Sequence, residues 1–184
     1  MRSLKNTPGL NAGSMADIGF LLLIFFLVTT TIPNDKGIAR KLPALCSTKD
    51  CDITKNERNV LRISINENGE IFTKNEIIAI SDLEKVIAAF IDNNGDASCD
   101  YCSGFGLKDS SDNPKEAIIS ITTHRLAPYA SFIEVQDAIT SAYTTLREQY
   151  IATVLRVNPE SLTEDELFQV REAYPLQISE AELK

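Results

Sequence analysis

The chain has 184 residues with 26 acidic and 18 basic side chains, so its formal net charge is −8 at pH 7. Residues 1–58 carry a net +3 and residues 59–184 a net −11. An acidic domain cannot neutralise a run of phosphates, so we expect no nucleic-acid partner. His124 is the only histidine, which argues against a His-rich metal site or a His-based active site, and we expect no enzyme.

The first predicted element is an apolar helix that follows a polar tail over residues 1–12. Ile18 to Val28 is an unbroken apolar run with three phenylalanines. Residues 13–32 supply the roughly 20 residues that a transmembrane helix needs. A signal peptide and a buried core helix are the alternatives, but no A-x-A-like cleavage site follows. The chain is also too small to enclose a helix that is apolar all round.

Asp17 lies at the leading edge of this apolar run and admits two interpretations. Ser14-x-x-Asp17 before an apolar run is a variant of the capping box, which makes Ser14 a helix N-cap. Alternatively, Asp17 lies inside the membrane, where burial among apolar helices makes a carboxylate easier to protonate. Ionisable residues within membranes commonly mark proton pathways. From the residues alone, both interpretations stand.

Residues 33–58 are predicted to form an extended linker. Pro33 and Gly37 end the helix, and the composition that follows is that of a mobile tether. The basic residues on either side of the helix do not fix its orientation. The size of the C-terminal part and the paired cysteines favour a cytoplasmic tail with the domain on the outer side of the membrane.

The four cysteines form two close pairs, Cys46 with Cys51 and Cys99 with Cys102. Local pairs in even number suit an oxidising compartment and two short-loop disulfides. A four-cysteine zinc site is an alternative, although the spacing of the first pair fits zinc modules loosely. Unpaired thiols are the third possibility. The second pair lies in a polar segment over residues 93–114, hereafter the insertion, which is expected on the surface.

The folded domain is predicted to begin near Asn59 with a hairpin and a helix. Residues 60–65 alternate apolar and polar side chains, as in a half-buried strand. Asn68-Gly69 signals a hairpin turn into a second strand over residues 71–73. Ser81 is a suitable N-cap for an amphipathic helix that runs to about Ile91.

The second half of the domain is predicted to contain two further strands and two helices. A buried strand over 117–121 leads to a turn that holds His124, which we expect to be exposed or locally bonded. A long helix starts at Pro128, and Asn158-Pro159 breaks it. Ser161 and Glu164 have capping-box spacing for a helix over 162–173. Residues 175–179 suit an edge strand, and residues 180–184 are expected to fray. The fold class is therefore α/β (α+β), in the order ββαβα(α)β, on one transmembrane helix.

The sequence resembles the ExbD/TolR family at three places. Asp17-Ile18 is similar to the Asp-Val that opens the family's membrane helix, and Phe26 to a later phenylalanine, although Gly13-Ser14 replaces the family's Thr-Pro. Leu42-Pro43 is similar to the family's Leu-Pro in the tether. Pro128-Tyr129 and the apolar-acidic helix after it (Phe132, Ile133, Val135, Asp137) resemble the second half of the family's periplasmic domain.

The resemblance implies a role for each of these residues. Asp17 would carry protons in a stator of the inner membrane that uses the proton motive force to power TonB-dependent outer-membrane transport. Phe26 would pack against other helices, and Leu42 and Pro43 would bind partners. The implied partners are an ExbB-like polytopic subunit, a TonB-like protein and a second ExbD-like chain, with no cofactor beyond the coupling proton.

Two other functions remain as alternatives. The chain could be a passive membrane anchor for a module that binds peptidoglycan or the envelope, closer to the TolR and MotB relatives. A secreted enzyme behind a cleaved signal is the third hypothesis, but no nucleophile–base set or carboxylate pair supports it.

Overall fold

The computed structural model describes Gly9, residues 12–29 and residues 56–183, with the backbone alone over 181–183. The chain divides into two compact units, Met1–Lys49 and Asp50–Lys184.

The described part of the first unit is one helix, α1 (Ala12–Thr29), in which no residue is buried. It has 18 residues, so it is about 27 Å long at the usual rise of 1.5 Å per residue. That length is close to the hydrocarbon thickness of a bilayer, about 30 Å. The Thr29 hydroxyl donates to the Phe25 carbonyl at 2.7 Å, so this polar side chain is satisfied within the helix.

The second unit is a mixed α/β domain built on one five-stranded sheet. Its strands follow the spatial order β3-β2-β1-β4-β5. The first three strands are antiparallel neighbours, whereas β4 runs parallel to both β1 and β5. The elements are β1 (Val60–Ile65), β2 (Ile71–Thr73), β3 (Glu76–Ile78), α2 (Ile80–Ile91), β4 (Ile118–His124), α3 (Tyr129–Tyr150), α4 (Glu164–Ala173) and β5 (Ile178–Leu183). The predicted fold class is confirmed, with β3 as an added strand.

The core lies between one face of the sheet and the helices. Alternation in β1 and β4 sends the same side of each strand inward, so Leu61, Ile63 and Ile121 are buried while Arg62 is exposed. Strand side chains alternate between faces with a period of two, so the opposite face of β1 and β4 carries side chains that are mostly half-buried. The helices contribute to the same cluster with Leu83, Ile87, Phe90 and Ile91 from α2 and with Val135, Ala138, Ile139, Ala142, Tyr143 and Leu146 from α3.

The turn between β1 and β2 lies where Asn68-Gly69 predicted it. Gly69 adopts a left-handed φ of +81°, and its amide donates to the Asn66 carbonyl at 3.1 Å. The Asn66 side-chain oxygen accepts from the amides of Asn68 and Glu70 at 3.0 and 2.8 Å. A Cβ at position 69 would lie 2.6 Å from Ser131 Oγ, so the turn needs glycine for its conformation and for its contact with α3.

Both N-caps predicted within the domain are wrong. Helix α2 starts at Ile80 with Ala79 as its N-cap, and no side chain caps it, so Ser81 lies inside the first turn. Helix α4 is capped by Thr163, which forms a complete capping box with Glu166. Ser161 instead ends a short 3₁₀ turn, where its hydroxyl donates to the Asn158 carbonyl at 3.2 Å. A capping-box spacing occurs by chance, and tertiary packing decides which one is used.

Two strand ends also differ from prediction. Strand β5 covers Ile178–Leu183, whereas residues 180–184 were expected to fray. Parallel pairing with β4 carries it forward as far as the pair His124–Leu183. His124 is accordingly the last residue of β4 and not part of the following turn. Pairing with a neighbouring strand extends both segments beyond their apolar residues.

The end of α3 is the remaining difference. The helix stops at Tyr150 and passes into one π-helical segment, Ile151–Leu155. Arg156 follows with a left-handed φ of +57°, and its amide donates to the Ile151 carbonyl at 2.7 Å. The break therefore precedes Asn158-Pro159, because this backbone closure ends the helix before the proline is reached.

Candidate functional site

Asp17 is the only charged residue of α1. The helix begins at Ala12, so Asp17 is its sixth residue and lies about 7.5 Å along the axis from the first. Ser14 lies inside the helix, two residues after its start. The interpretation of Ser14 as an N-cap with Asp17 as its first-turn partner is therefore wrong. By length and composition, this helix is long and apolar enough to cross a membrane.

Helical spacing places large apolar side chains beside Asp17. Phe20, Leu21 and Ile24 follow it by three, four and seven residues, which puts them on the same face. Phe20 is 61% exposed and Ile24 is 40% exposed. Among the described residues, nothing in the chain covers this face.

Phe26 lies on the opposite face of α1 from Asp17. Nine residues separate them, which corresponds to about two and a half turns. Phe26 is 60% exposed, and its ring meets that of Phe25 edge-on with 5.8 Å between centroids. The structure therefore does not bring these two predicted site residues together, and a partner helix on one face would leave the other open.

A carboxylate in this setting can exchange a proton and change the charge of its helix. Placing a charged aspartate at the centre of a membrane helix costs about 2.5–3.5 kcal/mol on the insertion scale. Protonation removes that charge.

Four of the predicted site residues lie outside the described part of the chain. They are Leu42 and Pro43, expected to bind partners, and Cys46 and Cys51, expected to pair. Their roles stay predictions from the sequence.

Cys99 and Cys102 are joined by a disulfide, with 5.5 Å between their Cα atoms. The described residues contain no group of three or more His, Cys, Asp and Glu side chains that could hold a metal ion. For this pair, the structure thus has the disulfide and neither the zinc site nor the free thiols.

His124 is locally bonded, and Leu126 donates its amide to His124 Nδ1 at 3.3 Å. The residue borders an open cavity of about 450 Å³ at the ends of β4 and β5. Tyr129 and Phe132 stack over this cavity with 6.1 Å between ring centroids. Arg125 and Glu180 also line this cavity, and Glu180 accepts a hydrogen bond from the Gln136 side chain at 2.7 Å.

A second cavity, which the sequence did not indicate, has a volume of about 410 Å³ and borders β1 and β2. Its charged lining comes from segments far apart in the chain, with Arg58, Arg62 and Lys74 beside Glu57 and Asp109. Lys74 pairs with Asp109 at 3.0 Å, and this contact holds the pKa of the exposed Asp109 carboxyl below its usual value. These charges largely pair with each other, which suits a structural junction between the insertion and the sheet.

The insertion is anchored by polar side chains that few sequence patterns would identify. Asn93 is 1% exposed; its amide group donates to the carbonyls of Leu107 and Ser111, both at 2.8 Å. Ser111 in turn donates to the Phe90 carbonyl at 2.6 Å. Because buried polar groups are costly unless they are bonded, these contacts fix the insertion to the end of α2.

Comparison with known families gives one match. The sequence model of the family described as biopolymer transport protein ExbD/TolR matches residues 4–147. The matched stretch includes α1, the strands β1 to β4 and all but the last turn of α3, and it stops before α4 and β5. No curated protein sequence matches the chain.

Proposed function

We propose, from the premise that this chain belongs to the ExbD/TolR family, that it is the proton-carrying subunit of an energising complex in the inner membrane. Members of this family are transport-related membrane subunits and not enzymes. The complex would use the proton motive force to power TonB-dependent transport across the outer membrane. One observation carries the proposal. A single carboxylate, Asp17, lies within an apolar helix, and no other described residue of the chain covers that helix.

Asp17 requires partner helices. A lone helix in lipid leaves a carboxylate unsatisfied, which is why ionisable residues of membrane helices face a bundle interior or a water-filled path. We expect a second ExbD-like chain and a polytopic ExbB-like subunit to supply that interior. Because Asp17 and Phe26 point in opposite directions, two separate contacts on α1 fit this arrangement.

The outer domain would pass the resulting motion to a TonB-like protein. In this arrangement the tail is cytoplasmic and the domain periplasmic. Leu42 and Pro43 would bind a partner in the tether between them. The Cys99–Cys102 disulfide supports this orientation, since disulfides persist in the periplasm and are rare in the cytosol.

The test is the substitution Asp17→Asn in the complete complex. Asparagine has nearly the same shape but does not titrate, so we expect loss of proton-driven transport with normal assembly. Asp17→Glu is the matched control because it keeps a titratable carboxyl, and it should retain part of the activity. The measurements are energised uptake and co-purification with the polytopic subunit in detergent.

Normal energised uptake by Asp17→Asn would contradict the proposal. If that variant is silent and the purified chain also sediments with peptidoglycan, the passive anchor is the better description. Absence of the polytopic subunit from the Asp17→Asn preparation would instead show an assembly defect, and the Asp17→Glu variant would then decide whether titration matters.

A further inference from the structure

Tyr101 of the insertion contacts the segment that leads into β5. Its hydroxyl donates to the Ala173 carbonyl at 2.8 Å. Its ring meets Tyr150 and Tyr174 edge-on, with 5.0 and 5.5 Å between centroids. Burial raises the pKa of Tyr101 to about 12, so its hydroxyl stays protonated and can donate at neutral pH. We call Tyr101, Tyr150 and Tyr174 the tyrosine cluster.

Tyr174 is held from two further sides. Its hydroxyl donates to Asp92 Oδ1 at 2.7 Å in a buried contact. Arg147 donates to its carbonyl from Nη2 at 2.7 Å and from Nε at 3.1 Å. The other oxygen of Asp92 accepts from the Ser103 amide at 3.0 Å, so Asp92 joins the end of the cysteine loop to Tyr174. Strand β5 begins shortly after Tyr174.

The disulfide fixes the position of Tyr101. Cys99 and Cys102 enclose only Asp100 and Tyr101, which leaves that short loop little conformational freedom. Asn94 anchors the loop at its start, because it accepts from the Cys99 amide at 3.0 Å and donates to the Cys99 carbonyl at 3.1 Å. The tyrosine cluster therefore depends on a covalent loop closure.

We infer that the Cys99–Cys102 disulfide is a redox-sensitive clasp, which through Tyr101 reinforces the attachment of Tyr174 and β5 that Asp92, Arg147 and the pairing with β4 also provide. A dithiol reductant opens it. Two electrons and two protons pass from the dithiol to the protein, the sulfur–sulfur bond breaks, and Cys99 and Cys102 become thiols while the reductant closes to its own disulfide. The freed loop then loses its hold on Tyr101. This inference is independent of Asp17 and of proton transport.

The clasp joins a part of the chain that the family model matches to a part that follows the match. Tyr150, Ala173 and Tyr174 all follow the matched residues 4–147, whereas the cysteine loop lies inside them. The inferred role of the disulfide is therefore to reinforce the attachment of the segment that carries α4 and β5 to the domain ahead of it.

The experiment is hydrogen–deuterium exchange of the full-length chain in detergent micelles, with and without dithiothreitol. The background is Cys46→Ser with Cys51→Ser, so that the reductant acts on Cys99 and Cys102 alone. Since local unfolding sets the exchange rate, we expect exchange over residues 173–183 to rise by roughly fivefold or more after reduction. Exchange over residues 60–65 should not change. Alkylation of both thiols verifies that reduction was complete.

A second variant tests the same contact without reduction. Tyr101→Ala in the oxidised protein should raise exchange over residues 173–183, whereas Phe105→Ala should not, because Phe105 is 93% exposed. Unchanged exchange over residues 173–183 in fully reduced protein would overturn the inference. A uniform rise that includes residues 60–65 would also overturn it, since the disulfide would then stabilise the whole domain. If Tyr101→Ala fails to fold, the reduction experiment decides alone.

Discussion

The two long helices of this protein are α1 and α3. What they share is a threonine hydroxyl that donates to the backbone carbonyl four residues earlier, as Thr29 does to Phe25 and Thr140 to Gln136; what differs is the burial of their apolar side chains. Helix α3 buries one face with seven residues, whereas α1 buries none. The domain thus supplies its own solvent-excluded core. No other described residue of the chain covers α1 in the same way.

The largest expected effect comes from replacing exposed apolar side chains of α1 by lysine, compared with the same replacement in the domain. Leu23→Lys with Phe25→Lys should remove the chain from the membrane fraction, since each lysine at the centre of a membrane helix costs about 2.5–3.5 kcal/mol. Leu126→Lys with Phe168→Lys is the matched control, because these side chains are also well exposed, at 71% and 64%. Carbonate extraction measures the outcome. If the first pair stays membrane-integrated, the contrast between the two helices fails.

The next effect concerns the core that α1 lacks. Ile87→Ala removes a fully buried side chain of α2 and should lower the free energy of unfolding of the domain by about 2–5 kcal/mol. Ile77→Ala changes a side chain that is 64% exposed, and its effect should stay within about 0.5 kcal/mol. Urea unfolding followed by near-UV circular dichroism compares the two. Equal losses would mean that β3 contributes to the core as much as α2 does.

A smaller effect is expected at the buried polar contact between Tyr174 and Asp92. Tyr174→Phe leaves the buried Asp92 carboxylate without this donor, which should cost about 1–3 kcal/mol. Burial and then the hydrogen bond to Asp92 raise the pKa of Tyr174, so its hydroxyl is a donor throughout the neutral range. Tyr129→Phe is the control, because Tyr129 is 73% exposed. The same urea unfolding measures both variants, and equal values would show that the contact contributes nothing.

The smallest effect separates the actual cap of α4 from the predicted one. Thr163→Ala should destabilise the helix by about 1 kcal/mol, and Ser161→Ala should have little effect. Local hydrogen exchange over residues 164–173 reports both. A larger loss for Ser161→Ala would restore the sequence-based assignment.

The same cap predicts a pH dependence. Hydrogen bonds from the Thr163 amide and hydroxyl hold the pKa of Glu166 below its usual value. A carboxyl with a lowered folded-state pKa stabilises the fold above its unfolded-state pKa, and that contribution is lost as the pH falls through the lowered value. Protection of α4 should therefore weaken in acid, and Glu166→Gln should remove this dependence. Equal acid sensitivity in both proteins would contradict it.

The regular elements could be predicted because their patterns are local. The alternation of residues 60–65 and the Asn68-Gly69 turn lead directly to β1, its turn and β2. Strand β3 could not be predicted in the same way, since it has three residues and follows Lys74 and Asn75, which both take a positive φ. Lysine is an unusual residue for that conformation, so the sequence shows no turn there.

The residues of the candidate site and of the buried contacts also differ in whether a local sequence pattern reveals them. Asp17 stands out in the sequence because a single charge interrupts an apolar run, and the structure adds that it lies inside the helix. The contact between Tyr174 and Asp92 joins residues 82 positions apart. No local sequence pattern encodes such a contact. It depends on how the chain after α3, including α4, folds back so that Tyr174 lies beside the start of the insertion.

The parallel pairing of β1 with β4 has a consequence for the order in which the domain folds. The antiparallel strands β1 to β3 are local and can form early, whereas β4 reaches β1 only after α2 and the insertion have emerged. Until then the second edge of β1 is open to pairing with other chains, which is the usual hazard of an unpaired strand edge. Arg62, exposed at the middle of that strand, places a charge where such an edge would otherwise aggregate. Its contribution should accordingly be greater to the yield of correctly folded protein than to the stability of the finished fold.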